Sequence, residues 1–308
     1  MGTAMIFQQM LVIFLLILIG YWACRKELLT ESVTRAISAL VVNVTNPALL
    51  ISSAMEQDVG VTHRDILEMA LVSAGVYAVL LILGELLSRF FGGRGEERKF
   101  YYVMLVYANV GFIGIPVVSA VLGPEGLLYL VIFNLFFNFL FYTHGLHVLT
   151  AGKDSGKEKI TWRTFVNVGT VSGVIALLLF WFEVSLPEVL SSTLSYAGGA
   201  TTFLSMLVLG ASLSRMRLRS LFSNIRLDFF CLAKMLALPV LLGLVLRELV
   251  PDEKMFCTAL LLIAMPAGNL PLMTAQEHHL KADTLARGIV ITTLLSIVTV
   301  SLTAAAVL

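Results

Sequence analysis

Apolar residues in this chain gather into long stretches separated by short polar punctuation. Ten charge-poor runs stand out, near residues 5–24, 31–55, 66–90, 100–122, 126–149, 164–183, 189–213, 227–248, 255–277 and 283–307. Each is close to the ~20 residues a helix needs to cross a hydrocarbon core at about 1.5 Å per residue. The pattern predicts an all-α integral membrane protein of ten transmembrane helices. The first run, Met5 to Cys24, carries no charge, outlasts the apolar part of a signal peptide, and has neither a basic start nor an Ala-x-Ala site. It reads as a retained helix.

Composition agrees. Of 308 residues, 58% are hydrophobic and 13% charged, and the mean hydropathy is +0.91, where a soluble domain is about half apolar and a quarter charged. The basic residues sort by side. Of the 21 Lys and Arg, 17 fall in the loops after helices 1, 3, 5, 7 and 9 or at their edges, among them Arg25, Arg94, Lys153 and Arg217. The positive-inside rule puts those loops in the cytoplasm and both termini on the extracytoplasmic side of a multi-pass cell (inner) membrane protein. Topology accounts for these basic loops, so no nucleic-acid partner is expected. The cysteines, Cys24, Cys231 and Cys257, fit no metal-ligand spacing and read as apolar fillers.

The most polar connection in mid-chain, residues 151–163, divides the spans five and five. It predicts a first repeat at 1–152, a connecting cytoplasmic loop at 153–163 and a second repeat at 164–308. An odd number of spans per half makes the repeats inverted. Each half carries a Gly/Pro interruption in its fourth span: NVGFIGIP at Asn109 to Pro116, and MPAGNLP at Met265 to Pro271. Proline removes an amide donor and glycine tolerates unusual dihedrals, so both helices are expected to break near mid-membrane. A simple kink is the plainer alternative. Unwound backbone at that depth is tolerated only against protein or a watery cavity, which makes paired breaks a pointer to a binding site.

These residues resemble the auxin efflux carrier family, which includes plant PIN-type auxin exporters and bacterial permeases for malonate and malate. The likeness runs along nearly the whole chain. It is most specific in NPALL at Asn46 to Leu50, in NVGFIGIP, and from Pro266 to Ser296. The resemblance implies two inverted five-helix repeats, with helices 1, 2, 6 and 7 as a scaffold and homodimer surface. Helices 3–5 and 8–10 would form an elevator-like moving part. It also implies a carboxylate bound where the broken fourth and ninth helices cross, at Pro116 and Pro271 with Asn109 and Asn269. The long hydrophilic loop of the plant exporters is missing, so the chain looks like a compact prokaryotic member.

The residues themselves suit an anion. Half-helices starting after each break direct free amides and a positive dipole end toward the membrane centre. Asn109 and Asn269 add neutral donors, so the expected binding set is Asn109, Gly111, Gly114, Ile115, Pro116, Pro266, Gly268, Asn269, Leu270 and Pro271, with Asn46 from the second helix. The competing reading of the asparagines is interhelical bonding. Asn134 and Asn138, one turn apart, read as glue between helices or a polar lining. Glu85 and Lys234 are charges inside spans and read as a coupling or support pair, or as a surface acid and a snorkelling lysine. His144 and His147 lie near the inner end of helix 5.

The expected partners are thus a small organic anion, the lipid bilayer and a second copy, with protons, sodium or voltage open as driving force. A sodium-coupled symporter of the bile-acid type is the rival within transport, and a receptor that kept the fold but lost transport is another. No metal, cofactor or catalytic residue is expected, since the chain holds no HExxH or GxSxG and no second buried acid near Glu85.

Overall fold

A computed structural model describes residues 3–55, 60–93, 95–151, 166–215 and 224–307. The connecting loop expected at 153–163 lies outside the described residues. In chain order the helices are α1 (Thr3–Arg25), α2 (Glu31–Leu40), α3 (Asn46–Ser53), α4 (His63–Gly92), α5 (Arg98–Val106), α6 (Ile115–Leu140), α7 (Leu146–Thr150), α8 (Val168–Trp181), α9 (Glu188–Ser214), α10 (Ile225–Leu232), α11 (Leu238–Leu249), α12 (Glu253–Ile263), α13 (Leu270–Glu277) and α14 (Asp283–Val307). Single wide turns at Val41–Thr45, Val110–Gly114, Phe141–Gly145 and Ala233–Ala237 lead into α3, α6, α7 and α11. Such π-type turns recur at functional places in helices.

Among the described residues, seven helical runs are long and apolar enough to cross a membrane, and α8 is apolar but shorter. The polar punctuation stops and starts the helices as its chemistry requires. Thr62 opens α4 with a capping box: its hydroxyl accepts from the Asp65 amide, and the Asp65 carboxylate accepts from the Thr62 amide at 2.7 Å. Asn167, Asn224 and Asp252 cap α8, α10 and α12 with side-chain oxygens. Pro271 sits in the first turn of α13, where a missing amide costs little, while Pro47, Pro116 and Pro239 each come just after a wide turn within a longer helical run.

The break expected between 122 and 126 is present: α6 is two helices meeting at a corner made by Gly123 at φ 66° and followed by Pro124. Only glycine takes that left-handed angle without strain, so one residue does the work of a loop. The second span runs as one helix from Glu31 to Ser53, with a wide turn before Asn46.

Packing inverts the habit of a soluble protein. The buried centre is formed by α4, α5, α6, α12 and α14, with Met69, Val103, Met104, Tyr107, Val118, Leu128, Leu262 and Leu285 among its residues. Large apolar side chains such as Leu71, Phe90 and Val189 point outward instead, as a lipid solvent allows. α9 lies along α1 and α3, and α3 also meets α6. This arrangement brings the second helical segment against the break that precedes α6.

Candidate functional site

The two Gly/Pro interruptions unwind and pair with each other. α5 ends at Val106 and α12 at Ile263, and between them Ala108 and Ala267 form a single antiparallel bridge. The Asn109 amide donates to the Pro266 carbonyl at 2.8 Å, and the Gly268 amide donates to the Tyr107 carbonyl at 2.9 Å. Each break thus satisfies the other's exposed backbone in a buried place, where an unpaired amide would be costly. Gly268 is required by the approach: a Cβ there would lie 2.9 Å from the Tyr107 carbonyl oxygen and 3.1 Å from that of Ala108.

The contact point is Ala108 with Ala267, not the prolines. Pro116 and Pro271 follow it, each as the second residue of its half-helix, α6 and α13. Pro266 and Gly268 belong to the unwound segment itself, and Gly111 and Gly114 to the wide turn that leads from Asn109 to Ile115.

The two asparagines are not equivalent. Asn109 is buried, and its Oδ1 accepts from the Phe112 amide at 3.1 Å, capping the turn that opens α6. Its NH2 group has no partner among the described residues and is a free, buried donor. Asn269 begins α13 but makes no side-chain cap and is exposed, beside half-buried Leu270. Asn46, at the start of α3, is buried and donates through Nδ2 to the Gly111 carbonyl at 3.2 Å, bridging from the second helical segment to the first break.

Two supports lie outside the interrupted segments and a third, Tyr107, at the edge of the first. Lys234, buried in the wide turn before α11, donates from Nζ to the Met265 carbonyl at 2.8 Å. Thr292 on α14 accepts from the Ala267 amide at 3.1 Å. The Tyr107 hydroxyl donates to the Leu140 carbonyl at 3.1 Å and lies 3.2 Å from His144 Nδ1. Reading the sequence missed Tyr107 and Thr292, which carry no local sign beyond a polar group in an apolar run.

Glu85 and Lys234 do not pair. The Glu85 carboxylate takes Arg89 at 2.6 Å and also Arg98, while Lys234 does not snorkel but turns inward to the second break. Asn134 and Asn138 are buried, with no side-chain hydrogen bond among the described residues.

A narrow crevice at the crossing, with space for little more than one water, is lined by Ile13, Ile113, Val117, Met206, Met265 and Ser296, and so touches both breaks with a mostly apolar wall. A polar cleft of about 500 Å³ lies apart from the crossing and is lined by Glu85, Arg98, Lys99, Tyr102, His144 and His147. On its rim Lys99 bonds Glu96 at 2.9 Å, and that bond holds the Glu96 carboxyl below its usual range. Among the described residues no cluster of His, Cys, Asp or Glu has the makings of a metal site.

Residues 5–159 and 155–304 match the family described as membrane transport protein. Two archaeal proteins are similar along nearly their full length. One is an uncharacterized transporter of Methanocaldococcus jannaschii, 24% identical over 303 residues, covering 95% of this chain and 96% of that one. The other is an uncharacterized transporter of Methanothermobacter thermautotrophicus, 25% identical over 308 residues, covering 96% of each.

Proposed function

Because the chain belongs to the membrane transport protein family, the auxin efflux carriers to which its motifs pointed, we propose that it is a secondary transporter moving a small carboxylate across the cell membrane by alternating access. The anion binds beside the crossing of the two breaks. In this reading the chain forms ten membrane spans in two inverted five-helix repeats, with both termini outside. The segments around α1 to α3, α8 and α9 serve as the dimeric scaffold and the rest as the moving part.

The observation that carries the proposal is the unpaired Asn109 NH2 in a buried crossing made of two unwound segments. A neutral amide and nearby helix starts attract a carboxylate without the tight grip of a buried arginine fork, so the anion can leave again.

The test is uptake of labelled malonate, malate and indole-3-acetate into liposomes holding the purified protein, with pH, sodium and voltage gradients imposed singly. Saturable uptake that weakens on removing the Asn109 amide supports the reading and names the driving force. Folded protein that moves no carboxylate under any gradient would turn the assignment toward another solute or toward a receptor.

A further inference from the structure

The last four carbonyls of a helix have no amide within it to accept from, so each needs an outside donor. At the end of α8 the following residues supply three. The Leu178 carbonyl accepts from the Phe182 amide at 3.0 Å, the Leu179 carbonyl from the Val184 amide at 2.9 Å and the Phe180 carbonyl from the Glu183 amide at 3.2 Å. The fourth, that of Trp181, lies 3.1 Å from Nε2 of His63, 118 residues away at the start of α4. A carbonyl oxygen only accepts, so Nε2 carries the hydrogen and donates it. The imidazole also packs on the aromatic pair that ends α8, with its centre 4.6 Å from the Trp181 ring and 5.7 Å from that of Phe180.

In the arrangement given above, α4 belongs to the moving part and α8 to the scaffold, so this contact joins the two at the extracytoplasmic surface. Farther along α8 the contact is of another kind: Gly173 lies against Val131 and Leu135 of α6. Apolar surfaces of that sort slide past each other without baring a polar group. A hydrogen bond has no such tolerance, because it weakens steeply with distance and angle. Displacing α4 along α8 by the width of one side chain ends it.

We propose that His63 and Trp181 form an extracytoplasmic latch between the moving part and the scaffold, closed in the state described and opened in every transport cycle. This rests on the division into scaffold and moving part proposed above and says what holds one of its states. A contact made in only one of two states favours that state by its own free energy. One net hydrogen bond is enough to shift such an equilibrium about three- to ten-fold.

The experiment reads that equilibrium without any substrate. Nitroxide labels at Leu71→Cys on α4 and Tyr196→Cys on α9, both strongly exposed, with Cys24→Ser to remove the half-buried thiol, report the distance between moving part and scaffold by pulsed electron resonance in lipid nanodiscs. Two distances are expected. His63→Ala should lower the population of the one that matches the structure, relative to the other, about three- to ten-fold. Its melting temperature should change little, since His63 is exposed. Equal ratios in the parent and in His63→Ala would overturn the latch. A single distance in every variant, alongside saturable uptake of malonate, malate or indole-3-acetate, would overturn both the latch and the moving part. A shifted ratio without uptake of any of the three acids would support the latch and remove only the carboxylate reading.

Discussion

The Gly268 amide donates to the carbonyl of Tyr107 at 2.9 Å, and the hydroxyl of the same tyrosine lies 3.2 Å from His144 in the wall of the polar cleft. One residue therefore ties the crossing of the broken helices to a cleft at the end of the next span. The backbone half of that tie depends on there being no side chain at 268.

Gly268→Ala puts a Cβ against the carbonyls of Tyr107 and Ala108. Backbone cannot yield as a flexible side chain does, so the variant should lose about 1–3 kcal/mol of stability, as overpacked sites do. Thermal unfolding in detergent measures this. Uptake should fall with it, and an unchanged melting temperature would mean that the two segments part easily.

Asn109 performs two tasks that substitutions separate. Asn109→Ala loses the cap on the Phe112 amide, worth about 1 kcal/mol, together with the free NH2. Asn109→Asp keeps the cap and puts an anionic oxygen where the donor was. A buried carboxylate without a cation is costly to desolvate, so the variant should melt below the wild type, and per folded molecule it should take up carboxylates at least ten-fold more slowly. Paired melting and uptake assays decide, and normal uptake by the aspartate variant would remove Asn109 from the site.

Pro116→Ala and Pro271→Ala should be mild. Pro271 lies in the first turn of α13 and Pro116 just after a wide turn, where alanine is tolerated, and the bridge at Ala108 and Ala267 holds the breaks open without them. A stability change under about 1 kcal/mol and uptake within ten-fold of wild type are expected. Collapse of uptake in folded protein would show that the prolines themselves maintain the unwound segments.

Lys234→Met removes a buried ammonium along with its bond to the Met265 carbonyl. Losing a charge-assisted hydrogen bond costs about 1.5–3 kcal/mol, but a cation buried without a carboxylate is itself costly to desolvate. These effects oppose, so stability should change by less than about 2 kcal/mol, while uptake drops as the second break loses its anchor. A variant with wild-type uptake would reduce Lys234 to a packing residue.

Runs of apolar residues and the sidedness of Lys and Arg depend only on local composition, because transfer to lipid is nearly additive along a helix. The membrane-spanning character and the location of both interruptions were therefore legible in the order of residues, as were Asn109 and Pro116 as landmarks. The helix starts at Thr62, Asn167, Asn224 and Asp252 follow from side chains that bond amides two or three residues away. Tertiary structure decided the partners. Lys234 bonds the Met265 carbonyl, not Glu85, Asn46 bonds Gly111 across 65 residues, and Ala108 meets Ala267. Such pairings arise because backbone freed by a break must find a donor or acceptor wherever packing supplies one, and nothing local to either residue says which.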